Sequence, residues 1–417
     1  MKKDIYKAFL YQHLIDKGTE VKKVGVDYDD SILLSDIPFK KNSINYCDFK
    51  RIIFRKDFQR VIEEGDIPFG ITHVVFDRDY IKPLKKGAIP NSVVELTLTG
   101  NFSVYDSPKN CFIPPSVKKL TIKCNGTVCA FCPDIHTIPN GLIPNTVKEL
   151  IIETEVYLRE NSIPYGVKVL SIKRLENYLY EGKRVIPNSV VNLTIKNIII
   201  PVKPDYLPQN CIKKITLNYI EKNETLVPGF IPKGVIDIVF GDLFNIDLVI
   251  GSIPKSAISV SFGGRFDKIL KGGVLSIGLK KIKFGHQFNQ KLLPNIIPHT
   301  VEDIVFGDMF DKPLGKGVIP RNAKSVVFGN SFSQYLDEGT FPYGLKKLIF
   351  GFRYNHKIVK GLIPPTVEYL SFGFNFDKII EKGVIPESVI YIIFNGLFEQ
   401  SIEGIFPVNL KYLKLFF

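Results

Sequence analysis

A proline recurs along this chain at a nearly constant interval, usually as Ile-Pro, and this interval constrains the fold more than any other feature. From residue 232 onward the interval is 22 residues, with Ser276 in one proline position and Pro407 after a step of 21. Upstream, the signal returns from Pro38 to Pro208 at spacings between 20 and 30 residues. So short a period predicts a solenoid of stacked coils rather than one large globular core.

Each interval carries the same internal pattern, numbered here from the proline as position zero. Apolar residues occupy +3, +6 and +8, as Val301, Ile304 and Phe306 do after Pro298. The +6 and +8 side chains have the period of two that places both on one face of a strand. Glycine is usual at +9, where the backbone needs either a positive φ or a close approach to a neighbour. The pattern predicts one short strand per coil, a tight turn and a mostly irregular return segment.

A second aromatic residue at +12, such as Phe310, gives the chain its unusual composition of 32 Phe and no Trp. A single coil cannot bury two phenylalanines, so stacking must place the +8 and +12 rings in two continuous aromatic spines. Asn or Asp commonly follows at +13, for example Asn289. These side chains are candidates for hydrogen-bonding the backbone of the next coil.

The first 35 residues predict an N-terminal cap, because a solenoid must cover its open hydrophobic end. We expect a helix over 1–17 and a degenerate first coil in which three valines follow the strand pattern: Val21, Val24 and Val26. Residues 36–231 predict irregular repeats with an insertion at about 123–138, and residues 232–417 predict regular coils of 22 residues.

One coil quoted in full contains Phe310-Asp311-Lys312-Pro313-Leu314, then Gly317, Ile319-Pro320 and Phe328-Gly329. This sequence resembles the FNIP repeat, a relative of leucine-rich repeats found in social amoebae and in giant viruses that infect amoebae. The resemblance covers about residues 36–417. It implies a leucine-rich-repeat-like stack with one parallel β-sheet face, and a role in protein–protein interaction.

The resemblance also suggests a host protein or a ubiquitin-pathway target as the partner, because many family members carry an N-terminal F-box. Residues 1–40 lack the Leu-Pro-rich helical pattern of an F-box. The asparagine ladder of ordinary leucine-rich repeats is also missing at its usual position, +11, which holds residues as different as Arg265 and Met309. The +13 column is the candidate to replace it.

Two sets of outward strand residues are candidate partner-binding sites. Tyr369, Tyr391 and Tyr412 share +5 in consecutive coils and should lie side by side, either as an interaction hot spot or as a ladder that only stabilises the sheet. Lysines recur at +4, +5 and +7, and those singled out are Lys280, Lys281, Lys283, Lys324, Lys346 and Lys347. A protein partner bound through the strand face is the leading hypothesis; with a net charge of +13, binding of nucleic acid or an acidic partner by this lysine stripe is the alternative, and a merely solvated face is the simpler interpretation of the stripe.

One cluster of reactive side chains interrupts the pattern, with the spacing C-x4-C-x2-C-x3-H: Cys124, Cys129, Cys132 and His136. Thiolates and imidazole in this order could hold a tetrahedral zinc ion, and reduced cysteines in an insertion are the simpler interpretation. No nucleophile–base pair stands out, so we expect a non-enzymatic protein without a cofactor. The absence of a signal peptide and of a long apolar run predicts an intracellular, cytoplasmic location, the host cytoplasm for a viral protein, without membrane contact.

Overall fold

Short strands form where each coil places alternating apolar residues between positions +5 and +8. The computed structural model describes residues 24–26, 31–34, 50–54, 58, 61–76, 80, 82–99, 112–123, 138–154, 158–175, 185–199, 207–221, 225–396, 398, 400 and 404–415. Within them lie nineteen strands: β1 Val24–Val26, β2 Ser31–Leu34, β3 Arg51–Phe54, β4 His73–Phe76, β5 Glu95–Thr99, β6 Lys119–Lys123, β7 Glu149–Ile152, β8 Val169–Leu175, β9 Asn192–Ile199, β10 Lys214–Glu221, β11 Asp237–Phe240, β12 Ser259–Ser261, β13 Lys281–Lys283, β14 Asp303–Val305, β15 Ser325–Val327, β16 Lys347–Ile349, β17 Tyr369–Phe372, β18 Tyr391–Phe394 and β19 Tyr412–Leu415.

The chain divides into two units, residues 1–174 with 178–193, and residues 175–177 with 194–417. In the first unit, β2 to β8 pair in chain order and in parallel. In the second unit, β10 to β19 do the same. The predicted division at residues 35 and 231 stays a prediction.

The N-terminal strands depart from the expected pattern. β1 pairs with β2 antiparallel, because the four residues 27–30 between them are too few for a coil and fit only a hairpin connection. The predicted capping helix over 1–17 lies outside the described residues, and the described part of the chain contains no helix. A helical cap is therefore not supported, and the strand that precedes the parallel array is a hairpin partner.

Two stacks of buried rings form the core of the second unit, as the +8 and +12 columns predict. The +8 ring of Phe306 lies 5.5 Å from Phe284 and 5.3 Å from Phe328, measured between centroids. Within a coil, Phe306 and Phe310 are 4.4 Å apart. In the first unit, by contrast, the +8 column is aromatic only at its start and then becomes aliphatic: Phe54, Phe76, Leu98, Ile122, Ile152 and Ile172. Continuous aromatic stacks are thus a property of the regular coils, while in the first unit stacked rings occur only at its start, as between Phe54 and Phe76.

The +13 side chains join successive coils through their backbone amides, as predicted. The Asn289 amide N–H donates to Asp267 Oδ1 at 2.8 Å, and Asn289 Oδ1 accepts from the Asp311 N–H at 2.9 Å. The same bond recurs at the acceptors Asn245, Asp311 and Asn355. This ladder satisfies backbone donors that a parallel array leaves unpaired after each strand.

Replacing Asn289 with Ala should destabilise the chain by about 1–3 kcal/mol, because the part-buried Asp311 N–H loses its acceptor. Asn289→Asp keeps a carboxylate oxygen, as Asp267 does one coil earlier, and should cost much less. Urea denaturation of both variants measures the difference. Equal losses of stability would show that the hydrogen bond from the Asp311 N–H to residue 289 contributes nothing to stability.

Tyr354 occupies the +12 spine position, which phenylalanine fills in the neighbouring coils, and its hydroxyl has no hydrogen-bond partner among the described residues. Burial raises the pKa of this phenol above its ordinary value. Because a buried, unpaired hydroxyl is costly, Tyr354→Phe should stabilise the chain by up to about 1 kcal/mol. The reciprocal change one coil earlier, Phe332→Tyr, should destabilise it; thermal unfolding of both variants tests the sign.

Candidate functional site

The outward strand positions of the second unit form continuous columns, because every coil pairs with the next in the same register. The +5 column passes directly from coil to coil along the sheet: Lys214, Asp237, Ser259, Lys281, Asp303, Ser325, Lys347, Tyr369, Tyr391 and Tyr412. Seven polar or charged residues therefore precede three tyrosines. The tyrosine register predicted from the sequence is the register in the structure.

The three tyrosines form a row of neighbouring rings on the outer strand face, the first pair stacked and the second tilted by 42°. Ring centroids are 6.3 Å apart between Tyr369 and Tyr391, and 5.9 Å apart between Tyr391 and Tyr412. Tyr391 is 41% and Tyr412 45% exposed, so the row keeps much of its surface in water. At the upstream end, Lys347 Nζ lies 5.1 Å from the Tyr369 centroid, within cation–π range. The row is a preformed aromatic surface with a cation at one end.

Most of the predicted lysines pair with acidic residues of adjacent coils. Lys280 and Lys324 both bind Glu302, with N–O distances of 2.9 and 2.6 Å. Lys346 binds Glu368 at 2.6 Å, while Lys281 is 3.5 Å from Asp303. The structure therefore separates the predicted stripe into charge pairs. Lys283 and Lys347 are exposed, and neither has a carboxylate within ion-pair distance among the residues described around it.

Sequence reasoning missed this pairing, although its signal was present. Each partner lies one repeat away, so an acidic residue 22 positions from a lysine in the regular coils marks an adjacent pair, as for Lys280 and Glu302. A surface that binds nucleic acid needs cations free to neutralise phosphates. Four of the six singled-out lysines contact carboxylates instead, which disfavours the stripe as a phosphate-binding track.

Hydrogen bonds from Lys280 and Lys324 lower the pKa of Glu302 to about 2. A lowered carboxyl pKa stabilises the fold at pH values above the unfolded-state pKa, and this contribution disappears as the pH falls from about 4.5 towards 2. We expect the Glu302 carboxyl to titrate near pH 2 by NMR, and near its ordinary value in a Lys280→Ala, Lys324→Ala double variant. An unshifted midpoint in the parent chain would contradict the paired geometry.

Sequence reasoning also missed a second exposed aromatic pair. Phe352 and Phe374, at +10 in adjacent coils, are 46% and 41% exposed, and their rings stack at 5.0 Å with an interplanar angle of 2°. The next coil has Gly396 in this column, where an added Cβ would lie 2.6 Å from Phe374 Cδ2. Gly396 thus leaves room for the Phe374 ring. The sequence signal that could have revealed this pair is the change from polar to aromatic residues in the +10 column, after Asn330.

The predicted zinc ligands Cys124, Cys129, Cys132 and His136 lie outside the described residues, so the zinc hypothesis stays a prediction. Within the described part, no three His, Cys, Asp or Glu side chains come together as a metal site. The same residues include no helix long and apolar enough to cross a membrane.

The parallel sheet, the irregular return segments and the buried spines define a leucine-rich-repeat-like β-solenoid. The FNIP Repeat family matches residues 58–100, 223–265, 266–309, 310–353, 332–375 and 354–397. These matches cover more than half of the chain, which therefore belongs to the FNIP repeat family. A comparison with curated protein sequences gives no match.

Of two similar solved structures, CroV588 shares the leucine-rich-repeat-like fold. CroV588, a giant-virus protein described as a novel circular LRR structure, is 23% identical, with a TM-score of 0.57 over 92% of this chain. This chain spans 65% of the length of CroV588. YopM from Yersinia enterocolitica is 11% identical over 98% of this chain and 99% of YopM, with a TM-score of 0.35. The likeness to CroV588 concerns the fold alone.

Proposed function

We propose that this chain is a non-enzymatic scaffold that binds a protein partner through the outer strand face of its regular coils. The observation that supports it best is the row of neighbouring rings formed by Tyr369, Tyr391 and Tyr412, of which Tyr391 is 41% and Tyr412 45% exposed. Tyrosine is enriched at binding hot spots, because a rigid ring with a polar hydroxyl gives contact area at low entropic cost. Solenoids built from this kind of repeat offer such extended faces for binding.

The triple variant Tyr369→Ser, Tyr391→Ser, Tyr412→Ser tests the proposal. Serine already occupies the same column at Ser259 and Ser325, so the fold tolerates it there. We expect the parent chain, tagged and purified from cells that express it, to retain protein partners that the triple variant loses. Quantitative mass spectrometry of the retained proteins measures the loss.

A control removes three exposed apolar side chains, each at least 62% exposed, from the return segments: Ile250→Ser, Ile269→Ser and Ile379→Ser. This control should retain the partners. Unchanged partner recovery by the folded tyrosine variant would remove the support for this face. A host protein or ubiquitin-pathway component as the partner, and a cytoplasmic location, stay predictions that the same experiment informs.

A further inference from the structure

Two separate columns change from polar to aromatic in the same C-terminal coils. The +5 column changes after Lys347, where Tyr369 begins the tyrosine row. The +10 column changes after Asn330, from a polar run to the exposed pair Phe352 and Phe374; upstream it reads Asp242, Gly264, His286, Asp308 and Asn330. We call the five aromatic residues Phe352, Phe374, Tyr369, Tyr391 and Tyr412 the aromatic face.

The solenoid itself does not need these rings. Upstream coils hold the same backbone register with Ser325 at +5 and with Asn330 at +10. In that column Asn330 Nδ2 donates to Asp308 Oδ1, and His286 Nδ1 pairs with Asp308 Oδ2. The turn therefore also accommodates polar side chains that hydrogen-bond to one another across coils. Within each column the exposed rings are neighbours across coils, and exposed apolar patches of this kind mark interaction sites. The aromatic face is therefore a specialisation of the last coils.

We propose that the aromatic face binds an acidic peptide segment of a protein partner; this inference rests on the proposed function and names the chemistry of the partner. The charge around the tyrosine row supports it. At +4, +5 and +7 of β16 to β19, four lysines face a single glutamate, and that glutamate, Glu368, already pairs with Lys346. Two other lysines of this set, Lys347 and Lys411, are exposed, and neither lies within ion-pair distance of a carboxylate among the described residues. Together with the tyrosine hydroxyls, lysine ammonium groups are donors that suit carboxylates.

The stacking geometry favours a protein partner over single-stranded nucleic acid. The Tyr391 ring lies between two neighbours, stacked on Tyr369 at 6.3 Å and tilted against Tyr412 at 5.9 Å, while Lys347 lies over Tyr369. Binding of bases depends on open ring faces on which they stack. In the tyrosine row the neighbouring rings compete with a base for the Tyr391 ring, whereas exposed ring surface and phenol hydroxyls suit the apolar side chains and carboxylates of a peptide.

A phage library of random peptides of about 12 residues, selected on the full chain, supplies the probes. We expect enriched sequences that combine Asp or Glu with apolar residues. A synthetic peptide from this set should bind at least about tenfold more tightly than its Glu→Gln and Asp→Asn version, as measured by fluorescence anisotropy. Selection without acidic enrichment, or no selection above background, would overturn the acidic-peptide inference.

Substitutions copied from upstream coils then test the location. Phe352→Asn with Phe374→Asn reproduces Asn330, and the tyrosine triple to Ser reproduces Ser325. Each set should weaken the selected peptide at least about tenfold, and Lys347→Ser with Lys411→Ser should weaken it by a similar factor. The isoleucine control should bind like the parent chain. Retained binding by either folded aromatic variant would place the peptide elsewhere.

Oligo(dT) serves as the nucleic-acid probe. We expect weak binding that the aromatic substitutions leave unchanged; tight binding that depends on the tyrosines would overturn the peptide inference in favour of nucleic acid. Failure of the two proposals is distinguishable. If the tyrosine variant loses native partners but no acidic peptide binds, only the acidic chemistry is wrong. If the native partners also persist on the tyrosine variant, the proposed face itself is wrong.

Discussion

Phe310→Ala is expected to reduce the free energy of unfolding by about 3–5 kcal/mol. The Phe310 side chain is fully buried, at 0% exposure. Its ring lies 6.1 Å from Phe288, 4.4 Å from Phe306 and 6.0 Å from Phe332, measured between centroids. Removing it opens a cavity against three rings in three coils. Because these neighbours are held in a repeating backbone, they have little freedom to collapse into the space.

Met309→Ala is the matched control, because it truncates the adjacent side chain, which is 47% exposed. We expect a change within about 0.5 kcal/mol for this variant. Urea denaturation followed by circular dichroism measures both. In a repeat array each coil is stabilised by its neighbours, so the Phe310 variant should also lower the cooperativity of the transition. Similar losses for the two variants would contradict the importance of the spine.

Much of the fold could be predicted because one structural unit repeats and each copy gives independent evidence for the same positions. The +6 and +8 residues, such as Ile304 and Phe306, are buried as predicted, and the +13 ladder forms through residues such as Asn289.

The proline register failed at the N-terminus for a physical reason. The coil of β3 has Tyr46, not proline, at its zero position, and the strand still forms because it depends only on its apolar alternation. Proline at the zero position restricts the return segment alone.

The candidate site was less predictable, because its properties arise between coils. The sequence predicts that Tyr369, Tyr391 and Tyr412 lie in register, but their stacking distances depend on side-chain rotamers. The lysine stripe looked continuous because each coil was read alone, whereas Glu302 joins Lys280 and Lys324 only across the sheet. Composition and net charge therefore overstated the free positive surface, and neither of the exposed residues Phe352 and Phe374 was among the predicted site residues.

The glycine at +9 left two explanations open, and the structure decides between them. A Cβ added to Gly307 would lie 1.7 Å from the carbonyl oxygen of Gly285, a backbone atom of the preceding coil. Close approach is thus the reason for glycine at this position. Positive φ belongs instead to the +19 column, which includes Gly317 and, in one coil, Asn295 with a φ of 67°.

Gly307→Ala should therefore destabilise the chain at the upper end of the roughly 1–3 kcal/mol that overpacking costs, or beyond it. The obstructing atom is backbone, so no side-chain rotation relieves the clash, and the two coils must separate where their strands end. That separation also stretches the +13 ladder bond from Asn289 Oδ1 to the Asp311 N–H, which lies just after the turn.

Gly315→Ala is the control that separates this clash from a general intolerance of alanine. It lies in the same coil, but an added Cβ there meets nothing within 4 Å, and its φ is not positive. Alanine at such a position reduces the entropy of the unfolded chain, so the change should be neutral or stabilising by up to about 1 kcal/mol. We therefore expect Gly307→Ala to lower the stability of the chain and Gly315→Ala, eight residues away, to leave it unchanged or raise it, as measured by thermal unfolding. A shared loss would mean that glycine is needed for flexibility throughout the coil, and that the spacing between coils does not depend on Gly307.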